Sequence, residues 1–200
     1  MPAKATASSS TLADVTAVNV RHPVPADAAA IYRLVCTDGG LDRNSLYCYL
    51  LVGRDFSRTS LVATRLELGG EVLAGFVSAY RPPDRPETLF VWQVGVAQAA
   101  RRQGLAVKML HRLLSLPQCG DVTFLEATVT PSNEASRRLF TRLASDLGAS
   151  LRVATGFTAD LFGGAEPPGE TAHEAEDCFV IGPLGEARLN RKEEADHEGV

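Results

Sequence analysis

Apolar residues recur along this chain in two rhythms, and the changes of rhythm delimit its elements. "AVNVRHPV" (17–24) alternates at period two, as a half-buried strand does. "VPADAAAIYRLVCTD" (24–38) then places Pro25 and Asp27 where a helix begins. "RNSLYCYLLVGRDF" (43–56) predicts a second helix, in which Tyr47 and Tyr49 sit two apart and face different sides, so at least one is free of the core. "SLVATRLEL" and "EVLAGFVSAY" flank Gly69 and Gly70, a pair suited to a tight primed turn, and predict a hairpin. "TLFVWQVGVA" (88–97) follows as a strongly apolar strand.

From Gly104 to about Leu116, apolar residues return at three and four, with Val107, Leu110, Leu113 and Leu114 on one face of a helix. "VTFLEATVT" is the next strand, and "PSNEASRRLFTRLASDLG" a helix capped by Ser132 or Asn133 and ended by Gly148. "LRVATGFTADLF" and "CFVIGPL" close the order β-α-α-β-β-β-α-β-α-β-β. This is a mixed α/β (α+β) domain over residues 17–184. The Ala/Ser/Thr-rich residues 1–16 and the charged residues 185–200 have little to bury and read as tails. An acidic loop spans 163–177.

Composition narrows the classes. Two hundred residues suit one core, and 45% hydrophobic with 22% charged residues describes a globular chain. A formal charge of -4 argues against a nucleic-acid or anionic-lipid partner. No apolar run approaches the roughly 18 residues that span a bilayer, and the opening residues hold no secretory stretch, so the expected location is cytoplasmic. The four cysteines lie far apart with no zinc-ligand spacing; they are expected as buried, reduced thiols, and no metal is expected.

The chemistry-bearing feature is "VGVAQAARRQGLAVKML" (94–110), where a strand gives way to a helix through two arginines and a glycine. The first N–H groups of a helix lack partners and carry the positive end of its dipole, so such a junction holds an anion. Gly104 lets the backbone approach a phosphate, and Arg101 and Arg102 add charge-assisted hydrogen bonds. A pyrophosphate fits, yet neither a Walker loop nor G-x-G-x-x-G is present.

The spacing R-x-x-G-x-A at Arg101, Gly104 and Ala106, after "WQVGVAQAA", resembles the coenzyme A pyrophosphate loop of the GNAT superfamily of N-acetyltransferases. The element order is similar as well. "NEASRRLF" resembles the family's helix-opening Asn motif and puts Asn133, Ser136 and Phe140 on it. The resemblance implies a mostly antiparallel sheet with a central splayed strand pair and flanking helices. It also implies acetyl-CoA as co-substrate, with Val94 and Val96 as backbone contacts and Arg101, Arg102, Gln103, Gly104, Leu105, Ala106 and Asn133 around the coenzyme. "LDRNSLYCYL", "LFVWQVGV" and "LEATVTPSNEASRRLF", over roughly 18–184, are more specific and look like the diaminobutyrate acetyltransferases of ectoine biosynthesis. That implies acetylation of the side-chain amine (N4) of L-2,4-diaminobutyrate, toward a compatible solute that serves osmoprotection, by a homodimer.

An alkylammonium must lose a proton before it attacks a thioester, which a carboxylate beside the attack point serves. Alternation places Glu126, Thr128 and Thr130 on one strand face, and Glu126 is the leading candidate to bind the amine and take its proton, directly or through water. Asp42, Asn44, Tyr47 and Tyr49 offer acceptors and donors for a small amino acid, with Asp42 on the alpha-ammonium. Trp92 either walls the acceptor pocket or joins the core, and Thr128 either contacts substrate or serves the strand. The resemblance suggests that His173 closes over the substrate. The family often places a tyrosine at position 140 to protonate the leaving thiolate; Phe140 cannot, which leaves water, Tyr47 or no acid. Another acceptor, such as a polyamine or a protein N-terminus, or a non-catalytic coenzyme A-binding regulatory subunit, remain as alternatives.

Overall fold

The computed structural model describes residues 18–38, 41–163 and 173–185. The expected tails at 1–16 and 185–200 and most of the acidic loop lie outside the described residues, apart from Gly185.

The chain runs β1 (Val18–Arg21), α1 (Ala28–Asp38), α2 (Leu46–Arg54), β2 (Leu61–Glu67), β3 (Gly70–Tyr80) and β4 (Thr88–Val96). It continues through α3 (Leu105–Leu114), β5 (Phe124–Val129), α4 (Glu134–Asp146), β6 (Leu151–Thr155), α5 (Ala159–Phe162) and β7 (Asp177–Ile181). One seven-stranded sheet results, in the order β1-β2-β3-β4-β5-β7-β6, parallel only between β4 and β5. The expected element order holds, with three local corrections. "LRVATGFTADLF" is a strand only to Thr155 and then forms the short α5. The hairpin turns on Leu68 and Gly69, because Glu67 pairs with Gly70, and only Gly70 has a positive φ, 114°. Of the four cysteines, all free, Cys119 alone is fully buried.

Two cores cover the two faces of the sheet. Met109, Leu110, Leu113 and Leu114 of α3 join Phe140, Leu143 and Ala144 of α4 against Leu89, Val91, Leu125 and Ala127. On the other face Ile31, Leu34 and Val35 of α1 and Tyr49 of α2 pack on Val62 and Phe76.

Two irregularities of β4 create the site. Its register with β3 steps from Ser78↔Gln93 to Ala79↔Val91, leaving Trp92 as a bulge. An extra residue reverses which face the following side chains take. Leu89 and Val91 therefore point into the α3–α4 core, while Gln93 points the other way, to Tyr49. Two residues on, a Cβ at Gly95 would lie 2.4 Å from the Phe76 ring, so only glycine fits there. Pairing of β4 with β5 ends at Phe90↔Glu126, although both strands run on, and that is the expected splayed pair.

Candidate active site

Beyond the splay, β4 leads through a short turn at Gln98–Ala100 into the start of α3. Arg102 has φ 62° and Gly104 φ 72°, so two left-handed residues bracket Gln103 and fold the loop over the helix start. Left-handed backbone outside glycine costs roughly 1–2 kcal/mol and concentrates at functional sites. The loop is braced from within: Arg101 Nε donates to the Val96 carbonyl at 3.1 Å, and Gln103 Nε2 to the Ala99 carbonyl at 3.3 Å. A cavity of about 490 Å³ lies against it, lined by Val94, Val96, Arg101, Arg102, Gly104, Leu105 and Ala106, with Asn133 and Ser136 of the α4 start opposite. Gln103 is not in that lining and serves the loop instead. The unpartnered amides of a helix start beside two guanidiniums suit a pyrophosphate, and the strand splay leaves backbone for an extended chain. Asn133 Oδ1 accepts from the Ser136 N–H at 3.0 Å, which caps α4 while the residue also faces the cavity.

A second, smaller cavity of about 80 Å³ adjoins the first through a shared wall of Leu41, Val94, Asn133 and Ser136. Its other sides are Asp42, Trp92, Gln93, Thr128, Thr130, Phe140 and Glu176. Asp42 and Glu176 flank His173, whose Nε2 stands 3.8 Å from Asp42 Oδ2 and 3.9 Å from Glu176 Oε1. These separations are too long for hydrogen bonds, and the three acceptor atoms lie within 4.8 Å of one another, a nest for a small cation such as an ammonium. His173 Nδ1 lies 2.7 Å from the Glu174 carbonyl, and its ring stacks on Phe162 at 4.0 Å. With Nδ1–H donating to that carbonyl, Nε2 faces the two carboxylates. The Glu174 carbonyl, and then Asp42 and Glu176, push the His173 pKa up against the opposing effect of burial.

The remaining expected residues fall into three groups. Trp92 and Thr128 line the second cavity; Trp92 is half-exposed, with its ring edge-on to Tyr80. Glu126 shares the strand face of Thr128 but stays outside the lining, tied to Arg85 Nη1 at 2.5 Å. Of the two tyrosines, Tyr47 is 63% exposed on α2 beside Arg54 and does not reach the cavity. Tyr49 is 1% exposed in the core, where burial pushes its phenol pKa up while Asn44 acts in the opposite sense. Tyr49 and Asn44 thus interact with each other and stay outside the cavity lining. Sequence reasoning missed Glu176 and Gln93. Glu176 stood among other acids, with its i,i+3 spacing to His173 as the sole signal, and Gln93 was visible as one polar residue in the apolar run "FVWQVGV".

The acetyltransferase (GNAT) family model matches residues 29–144. L-2,4-diaminobutyric acid acetyltransferase of Halalkalibacterium halodurans is 42% identical over 84% of this chain and 84% of its own length. The chain belongs to the L-2,4-diaminobutyric acid acetyltransferase family. Another member, from Bordetella parapertussis, is 43% identical over 83% of this chain and 84% of its own length. The solved structure of diaminobutyrate acetyltransferase EctA from Paenibacillus lautus, in complex with its substrate L-2,4-diaminobutyric acid and coenzyme A, superposes with a TM-score of 0.76. It is 45% identical over 84% of this chain and 96% of that one. The protein yncA from Salmonella typhimurium, solved with its cofactor acetyl-CoA, shares the fold at 21% identity and a TM-score of 0.61, over 86% of this chain and 96% of that one.

Proposed function

We propose that this chain transfers the acetyl group of acetyl-CoA to the N4 amine of L-2,4-diaminobutyrate, giving N4-acetyl-L-2,4-diaminobutyrate on the route to ectoine. The observation that carries this reading is the placement of Asp42, His173 and Glu176 beside the wall shared with the coenzyme groove. A cation nest there receives one end of a diamine and holds it where an acyl group arrives along β4.

Acetyl-CoA supplies the activated thioester. The Arg101–Ala106 loop holds its pyrophosphate, and the free backbone of Val94 and Val96 aligns its extended arm. Asp42 and Glu176 seat the substrate ammonium, and Glu176, whose carboxylate is 13% exposed, takes the proton from N4. Glu126 is exposed to the same extent, 13%, but it is tied to Arg85 and stays outside the cavity lining, which leaves Glu176 as the base. The freed nitrogen attacks the thioester carbonyl, the C–N bond forms, the C–S bond breaks, and coenzyme A leaves as a thiolate. Phe140 lines the smaller cavity without a proton to give, so the second proton of the attacking nitrogen passes to the leaving thiolate through water or the hydroxyl of Ser136, which lines both cavities. Glu126 is held by Arg85 and sets the charge at the outer end of the acceptor face.

The chain acts as a homodimer in the cytoplasm. Support for a dimer comes from β6, an edge strand whose neighbourhood exposes Val153, Phe157 and Leu161. Support for the cytoplasm comes from four free thiols and an acetyl-CoA requirement; no described helix is long and apolar enough to cross a membrane. The test is free-thiol release from acetyl-CoA with L-2,4-diaminobutyrate, spermidine or an N-terminal peptide as acceptor. Release with diaminobutyrate is expected, and release only with another acceptor would overturn the assignment.

A further inference from the structure

We infer that Gln93 is a positioning residue that registers the acceptor loop on the strand that carries the donor. The inference rests on the acceptor reading above. Gln93 is 8% exposed in an apolar strand, and both ends of its amide are committed. Its Oε1 accepts from the Tyr49 hydroxyl at 2.9 Å, and its Nε2 donates to the Asp42 carbonyl at 2.7 Å. Tyr49, itself fully buried and edge-on to Phe76, is a fixed anchor. The Asp42 side chain, by contrast, is 77% exposed, so its direction follows the backbone that Gln93 holds.

The amide side chain serves both contacts at once, with its oxygen as acceptor and its nitrogen as donor. A carboxylate at 93 would set an oxygen against the Asp42 carbonyl, and an aliphatic side chain would leave the Tyr49 hydroxyl and that carbonyl without this partner. The bulge at Trp92 makes the arrangement possible, since it turns position 93 toward α2 while Val94 still faces the coenzyme groove. Three consecutive residues thus divide the labour: Trp92 walls the acceptor pocket, Gln93 holds the acceptor loop, and Val94 borders the donor. Asp42 reaches His173 and Glu176 only if this loop keeps its place.

The test combines kinetics with amide hydrogen exchange on Gln93→Leu, Asp42→Ala and the double variant. Gln93→Leu is expected to raise KM for diaminobutyrate about tenfold, the cost of a lost buried hydrogen-bond partner, with KM for acetyl-CoA within about twofold. In the Asp42→Ala background the same change is expected to have little further effect, because its action runs through Asp42. Additive effects, or an equal rise in both KM values, would overturn the inference. Tyr49→Phe keeps the core packing and is expected to act in the same direction, more weakly, which covers a failure of Gln93→Leu to fold. Exchange at residues 41–45 reads the loop without any reaction. It should accelerate in Gln93→Leu, and unchanged exchange there refutes the positioning role even if diaminobutyrate is not the acceptor.

Discussion

Replacing Glu176 with glutamine, alongside the same change at Glu126, separates the two carboxylates that this site offers as base. Glu176 Oε1 lies 3.9 Å from His173 Nε2, and an ammonium seated between them approaches the carboxylate at least as closely. At about 4 Å and an effective dielectric of about 20, one unit pair is worth roughly 4 kcal/mol. Asp42 stays in place and a glutamine oxygen still accepts a hydrogen bond, so about half survives the substitution. The remaining 2 kcal/mol or so, together with the lost proton acceptor, lowers kcat/KM for diaminobutyrate on the order of 10²-fold. Glu126 is committed to Arg85, a partly exposed pair worth roughly 0–1 kcal/mol, so Glu126→Gln is expected to stay within about threefold of the parent. The assay is thiol release at saturating acetyl-CoA over a range of diaminobutyrate concentrations, with circular dichroism to verify folding. A Glu176→Gln enzyme within threefold of the parent, with Glu126→Gln down by 10², would refute the reasoning and return the base to Glu126.

Three further outcomes follow from the same geometry. The His173 pKa is raised, chiefly by the Glu174 carbonyl, so the imidazolium persists above the ordinary histidine range and competes with the substrate cation for Asp42 and Glu176. KM for diaminobutyrate should therefore fall as pH rises through that raised pKa, and His173→Gln should flatten this limb; a pH-independent KM in the parent would contradict it. The same shift stabilises the fold below the unfolded histidine pKa and is lost as pH rises through the folded one. Arg102→Gly should relieve a left-handed residue and hold or raise Tm by up to a few degrees while raising KM for acetyl-CoA several-fold, measured by thermal melts and kinetics. Gly95→Ala would drive a Cβ to 2.4 Å from Phe76 and 2.9 Å from Leu34, both packed in the core, at a cost of about 1–3 kcal/mol. A calorimetric scan should show Tm lower by roughly 2–12 °C.

The proposed donor half of the site rests on a local pattern. A strand, a loop with two arginines and a glycine, and a helix start form a phosphate cradle whatever surrounds them, and all sit within residues 94–110. Asn133 was legible for the same reason, since a helix cap is written in the residues next to it. The proposed acceptor half draws on β4, β5, the 41–44 loop and residues 173–176, which no local pattern joins. The reading of Glu126 as the base followed from strand alternation, which correctly put it on the face of Thr128. Alternation does not show that Arg85, 41 residues earlier, is folded onto it. That at least one tyrosine of α2 is free of the core was legible, but which one needed the core itself: Tyr49 faces Phe76 and Gln93, and Tyr47 faces solvent.

The sequence by itself determined the order of the elements, the strand-loop-helix junction at 94–110 and the family, because periodicity, capping and backbone chemistry act over a few residues. Only the tertiary structure brought the residues of the proposed acceptor pocket together. A one-residue bulge at Trp92 turned Gln93 toward the α2 side, and an unpaired stretch between β4 and β5 opened the sheet. The fold then set Asp42 and Glu176 within 4 Å of one histidine. Electrostatic attraction and steric fit depend on distance in space, and spatial distance between residues 42 and 176 is not contained in any stretch of the chain.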